Sequence, residues 1–133
     1  MMKTIFLLLI SVLSLTSLKA QQHRIVWEID AKDTSAQSTL MRQINNVLKE
    51  SPDTRIEVVY HGQAITGLVK DSSFFAGRIA EYQKKGIVFA ACNNSLRRYK
   101  IDPSQVLPGV IVVPVAILEL VKKQEEGWSY IKM

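Results

Sequence analysis

The sequence predicts an α/β fold, a three-layer α/β/α sandwich around a mainly parallel sheet of about five strands. Three observations predict it. Short runs rich in Val and Ile recur at regular intervals, and segments with helical spacing of apolar residues separate them. One run, Ile87-Val88-Phe89-Ala90-Ala91, is apolar without alternation, as a strand must be when helices cover both faces of a parallel sheet.

The first strand reads as Ile25 to Ile29 and is followed by a helix from about Ser35 to Glu50. Leu40, Ile44, Val47 and Leu48 fall at i, i+4, i+7 and i+8 and form one apolar stripe, with Asp33 or Thr34 as the amino-terminal cap. A second strand, Ile56 to Tyr60, ends at His61-Gly62. A loop with one helical turn leads to a helix near Ser72 to Lys85, whose buried stripe is Phe75, Ile79 and Tyr82 and whose stop is Gly86. After the third strand, Cys92-Asn93-Asn94-Ser95 turns into a short helix carrying Leu96 and Tyr99. Asp102-Pro103-Ser104-Gln105 has the cap, first-turn proline and glutamine of another helical start. A fourth strand covers Val110 to Val113 and stops at Pro114. The last helix, Ala116 to Glu126, is expected to turn Ile117, Leu120 and Val121 inward, and Gly127 ends it before a terminal strand, Ser129 to Lys132.

Residues 1–20 read as a secretory signal peptide. Lys3 precedes an apolar run of eleven residues from Ile5 to Leu15, and a short polar stretch ends at Ala20, the expected cleavage site. The run is too short for a bilayer core, which needs about 20 apolar residues. Residues 21–133, about 113 in the mature chain, form one domain with neither repeat nor linker. The expected location is periplasmic or secreted, with no stable membrane insertion.

Without Lys3 and Lys19 the 17 basic residues become 15 against 12 acidic ones, and the net charge falls from +5 to +3. Arg97, Arg98 and Lys100 cluster, but nucleic-acid binding needs a broader basic stripe and is not expected. One cysteine permits no internal disulfide, so the fold depends on its apolar core. Two histidines and a cysteine without tight spacing point to no metal. Glycine-rich phosphate loops, Gly-x-Ser-x-Gly elbows and Cys-x-x-Cys pairs are missing from the sequence, so nucleotide hydrolysis, serine-hydrolase chemistry and thioredoxin-type exchange are not expected, and no cofactor is expected. Trp27 and Trp128 read as packing residues and His23 as a solvated one.

Ligands of open parallel sheets bind outside the carboxyl ends of the strands. Asp30 and Lys32 follow the first strand there, His61 and Gly62 the second, Cys92 with Asn93, Asn94 and Ser95 the third, and Pro114 the fourth. Cys92 also stands at a helix amino end, where free amides favour a thiolate. It is therefore either a nucleophile or sulfur carrier, or a small apolar residue closing a buried strand. His61 is a proton partner for the thiol or a hydrogen-bonded structural residue, and Asp30 a ligand contact or a turn residue.

His61-Gly62, the block from Gly86 to Leu96, Leu107-Pro108-Gly109-Val110 with Val113-Pro114, and the ending Gln124 to Ile131 resemble the DsrE/DsrF-like (DsrEFH) family, in its exported subgroup. That family includes sulfur-relay subunits of sulfur oxidation and transfer-RNA thiolation. The resemblance implies a cysteine after the third strand that holds sulfane sulfur as a persulfide, a position Cys92 occupies. It also implies homo-oligomers, trimers or hexamers, and a sulfur donor or acceptor protein as partner. Two readings follow. In one, the chain is an exported, cofactor-free sulfur carrier or sulfurtransferase with Cys92 accessible and His61 assisting. In the other, it is a non-catalytic oligomeric binding module that takes a small ligand or protein in the strand-end crevice, with Cys92 buried or dispensable. Peroxide or disulfide chemistry would need a resolving thiol from another chain.

Overall fold

The structure, a computed structural model, describes residues 21–133. The expected signal peptide and its expected cleavage after Ala20 lie outside the described residues. Five strands, β1 (Arg24–Ile29), β2 (Arg55–Tyr60), β3 (Val88–Cys92), β4 (Ile111–Val113) and β5 (Ser129–Lys132), form one sheet in the order β4-β3-β2-β1-β5. Every pairing between them is parallel, so all five carboxyl ends lie along one edge.

Helices α1 (Thr34–Glu50), α2 (Ala76–Lys84), α3 (Asn93–Arg98) and α4 (Ala116–Glu125) connect the strands. Parallel neighbours need such crossovers, and those from β1 to β4 step in one direction across the sheet. The side chains sort into two cores. Trp27, Ile29, Ile56, Val58, Tyr60, Phe89 and Ala91 pack with Leu40 and Ile44 of α1, Ile79 and Tyr82 of α2 and Leu96 of α3. On the opposite face Val26, Val59, Ala90, Cys92 and Val113 meet Ala116 and Leu120 of α4, with Trp128. Among the described residues the sandwich is thus asymmetric, with one helix covering the second face. Among the described residues no helix is long and apolar enough to cross a membrane.

Local chemistry accounts for the boundaries. The Asp33 carboxylate accepts from the Ser35 amide at 2.9 Å and caps α1. The predicted helix from Ser72 begins only at Ala76, because Ser72 and Ser73 instead turn back onto the Val69 carbonyl. Asp102 and Gln105 form the expected capping box, but the turn is a 3-10 segment of three residues, Pro103–Gln105. Where one helical turn was expected after β2, the chain forms a 3-10 segment of seven residues, Gly62–Leu68, more than two turns long.

The inward face of α4 differs from expectation. Ile117 and Val121 are 55% and 42% exposed, and the buried positions are Ala116 and Leu120. The cause lies one turn further on. Lys123 reaches under the helix to the Glu57 carboxylate on β2 at 2.9 Å, and Ala116, Leu120 and Lys123 share one face at i, i+4 and i+7. A charged residue therefore occupies the stripe, which reading apolar spacing alone does not reveal. Val47 and Leu48 are only partly buried, while Gln37 and Met41 join Leu40 and Ile44 inside.

Candidate functional site at the carboxyl edge of the sheet

Alternation along the strands decides which side chains meet. Glu28, Val59, Ala90 and Cys92 point to the α4 face, whereas Tyr60 and Ala91 point away from it. His61 follows Tyr60 in extended backbone, φ −146° and ψ −175°, so it continues the alternation onto the α4 face. Tyr60 and Ala91 are the last pair of the β2–β3 register, and His61 and Cys92 are the next residues along the two chains at the same edge of the sheet.

Cys92 closes β3 and opens α3, and it is buried, with 4% of its surface exposed. The Ala116 N–H at the start of α4 donates to Cys92 Sγ at 3.4 Å. Burial pushes the thiol pKa up, but the Ser95 amide, the Ala116 amide, the Ser95 hydroxyl and the Asn94 amide together hold it below that of an ordinary thiol. Two helix starts, those of α3 and α4, converge on one sulfur. The Ser95 hydroxyl is itself fixed, because it accepts the Gly62 N–H at 2.9 Å. Its proton is then free to point at the sulfur. Gly62 achieves this at φ +52°, where an added Cβ would stand 3.3 Å from the Asp30 carbonyl oxygen.

On the β1 side of His61, its Nε2 lies 2.7 Å from Glu28 Oε1. The Tyr130 hydroxyl of β5 donates to the other Glu28 oxygen, and Lys132 Nζ stands 3.6 Å from Glu28 and 3.2 Å from Asp30. Burial raises the Glu28 pKa, yet the bonds from Tyr130 and His61 and the Lys132 charge bring it below the usual value, so the carboxyl is ionised at neutral pH. Glu28, Asp30 and His61 lie within 4.8 Å of one another through one atom each. The Lys132 ammonium already stands against both carboxylates of this cluster, and we assign no metal to it.

The residues nominated from sequence separate as follows. Cys92, Ser95, Gly62 and His61 form one connected group, and Asp30 joins it through Lys132 and through its carbonyl, which accepts the Ala64 N–H. Asn94 contributes its amide to the sulfur, while its side chain turns outward to Arg97. Asn93 makes no polar contact with the thiol among the described residues, and Lys32 and Pro114 are exposed. Glu28, Tyr130, Lys132 and Ala116 were not legible as site residues. A glutamate at an otherwise inward position of β1 was the one signal available for Glu28. A separate cavity of about 500 Å³ lies between α1 and α2, lined by Arg42, Phe74 and Arg78 among others, away from these residues.

The DsrE/DsrF-like family profile matches residues 25–133. A protein of unknown function from Methanobacterium thermoautotrophicum superposes with a TM-score of 0.81 at 34% identity, covering 84% of this chain and all of that one. The ychN protein of E. coli gives 0.71 at 8% identity over 85% of this chain and all of its own. A conserved protein of unknown function from Bacteroides thetaiotaomicron gives 0.69 at 14% identity over 89% of this chain and all of its own. No curated protein matches the chain.

Proposed function

The chain belongs to the DsrE/DsrF-like family, and on that premise we propose that it is an exported sulfur carrier holding sulfane sulfur as a persulfide on Cys92. The observation that supports the reading is the convergence of amide and hydroxyl donors from Asn94, Ser95 and Ala116 on one sulfur. A buried cysteine that served only packing would carry a raised pKa, whereas these donors favour the anion. A thiolate can take sulfane sulfur from a donor and release it to an acceptor thiol without a cofactor. At 4% exposure, exchange requires the start of α4 or the Asn93–Ser95 turn to move aside.

Export to the periplasm and assembly into a homo-oligomer belong to the same proposal. A second copy has apolar surface available at the open edge of β4, with Ile111 and Val112, and on α4, with Ile117, Leu118 and Val121. The burial of Cys92 favours the alternative, a binding module in which the thiol is structural.

Intact mass after incubation with thiosulfate or polysulfide separates the two. The carrier gains the mass of a sulfur atom, reductant removes it, and Cys92→Ser shows no gain. No adduct, with a thiol that resists alkylation until the protein unfolds, leaves the binding module.

A further inference from the structure

His61 stands between two things it can serve. On one side is the ionised Glu28, which is 5% exposed and can only accept hydrogen bonds. The proton in the 2.7 Å contact therefore belongs to His61 Nε2, and Nδ1 of the neutral ring keeps its lone pair. On the other side, at the end of β3, is Cys92, tied to the loop of His61 through Gly62 and Ser95. Glu28 is not free to turn away, since Tyr130 holds its second oxygen and Lys132 stands beside it. A carboxylate fixed by two partners that in turn fixes an imidazole tautomer is the arrangement of an oriented general base. The charged and titratable groups around His61 are Glu28 and Asp30 from β1 and its end, Tyr130 and Lys132 of β5 against those carboxylates, and Cys92, one residue past the last β2–β3 register pair.

We infer that His61, held in one tautomer by the positioning residue Glu28, is the base that deprotonates an incoming acceptor thiol during sulfur transfer from Cys92. The inference rests on the carrier reading. In the step, His61 Nδ1 takes the proton of the acceptor R–SH. The acceptor sulfur then attacks the outer sulfur of the Cys92 persulfide, Sγ–SH. A bond forms between those two sulfurs, the Sγ–S bond breaks, and its electron pair returns to Sγ. The products are R–S–SH, the Cys92 thiolate among the donors of Asn94, Ser95 and Ala116, and imidazolium at His61. Charge and atoms balance, and no external oxidant or reductant enters. The substrate class is accordingly a thiol that is protonated at neutral pH, and the pair gives no advantage to an acceptor without a proton.

The test compares two acceptors after loading the full chain with polysulfide and confirming the sulfur by intact mass. Glutathione must lose a proton, and sulfite under alkaline conditions has none to lose. With glutathione, His61→Asn slows transfer about 10²-fold, and Glu28→Gln slows it less but clearly. With sulfite both variants match the wild type. The Glu28→Gln deficit shrinks as rising pH ionises glutathione unaided, and added imidazole restores part of the rate of His61→Ala. Equal losses with both acceptors, an unchanged glutathione rate in Glu28→Gln, or no rescue by imidazole overturns the inference while loading still supports the carrier. Should Glu28→Gln fail to fold, the imidazole rescue decides. A wild-type chain that takes up no sulfur overturns the carrier reading and this inference with it.

Discussion

Replacing Lys123 by methionine exposes what holds α4 against the sheet. Glu57 is 2% exposed, Lys123 Nζ lies 2.9 Å from its Oε2, and its Oε1 has no hydrogen-bond partner among the described residues. Lys123 also stands 3.8 Å from Glu119 and 3.9 Å from Glu126, and its ammonium sits 4.7 Å from the Trp128 ring centroid. In Lys123→Met the Glu57 carboxylate loses this partner while remaining buried. Breaking one side of a buried pair costs about 3–5 kcal/mol, which for a domain of this size lowers Tm by roughly 10–20 °C. The loss depends on pH. Burial already raises the Glu57 pKa, the Lys123 bond and charge oppose it, and Glu119 adds to it. A raised carboxyl pKa means that the folded chain binds more protons than the unfolded one, so stability falls as pH rises above the unfolded value of about 4.3. Removing Lys123 raises the pKa further and deepens that fall. Circular-dichroism melts should show a large deficit at neutral pH and a small one in mild acid, and Glu57→Gln with Lys123→Met should recover most of it. A deficit below about 1 kcal/mol, or one equal at both pH values, would refute the reasoning. Since Ala116 at the start of the same helix donates to Cys92, the variant should also alkylate with a higher apparent thiol pKa.

Ser95→Ala removes the hydroxyl that lowers the Cys92 pKa, so the pH at which iodoacetamide reacts half-maximally should rise; an unchanged profile would assign the effect to the amides alone. Gly62→Ala forces a Cβ into a left-handed residue 3.3 Å from the Asp30 carbonyl and should cost about 1–2 kcal/mol in urea unfolding. Tyr130→Phe strips a hydrogen bond from the Glu28 carboxylate and should cost about 1–3 kcal/mol at neutral pH. That deficit should narrow in acid, because a depressed carboxyl pKa stabilises above the unfolded value and its contribution is lost as pH falls. Ile117→Glu places a charge in the exposed apolar surface of α4 and should shift sedimentation of the proposed oligomer toward monomer, and a monomeric wild type would remove the oligomer from the proposal.

The alternation of Val- and Ile-rich runs with helical spacing determined the parallel α/β sandwich by itself, because each run can bury its apolar residues only in that arrangement. The unalternated third strand marked an interior position, between β4 and β2, while the middle of the sheet is β2. Cys92 at the end of that strand, Gly62 where φ is positive and His61 at the end of β2 were all legible, since topology alone sends strand ends to one edge. What sequence could not reveal depends on contacts distant along the chain. Ile117 and Val121 face outward because Lys123 seeks Glu57 across the sheet, a pairing that no local periodicity encodes. Glu28 becomes the partner of His61 only because β1 and β2 pair in register, and Tyr130 and Lys132 reach it only because the last strand returns beside the first. The thiol was evident from its residue type and place, but its burial and the donor arriving from Ala116 were decided by the packing of α4. Local pattern specifies elements and their faces, and the polar groups that must find partners in the interior specify how those faces are finally used.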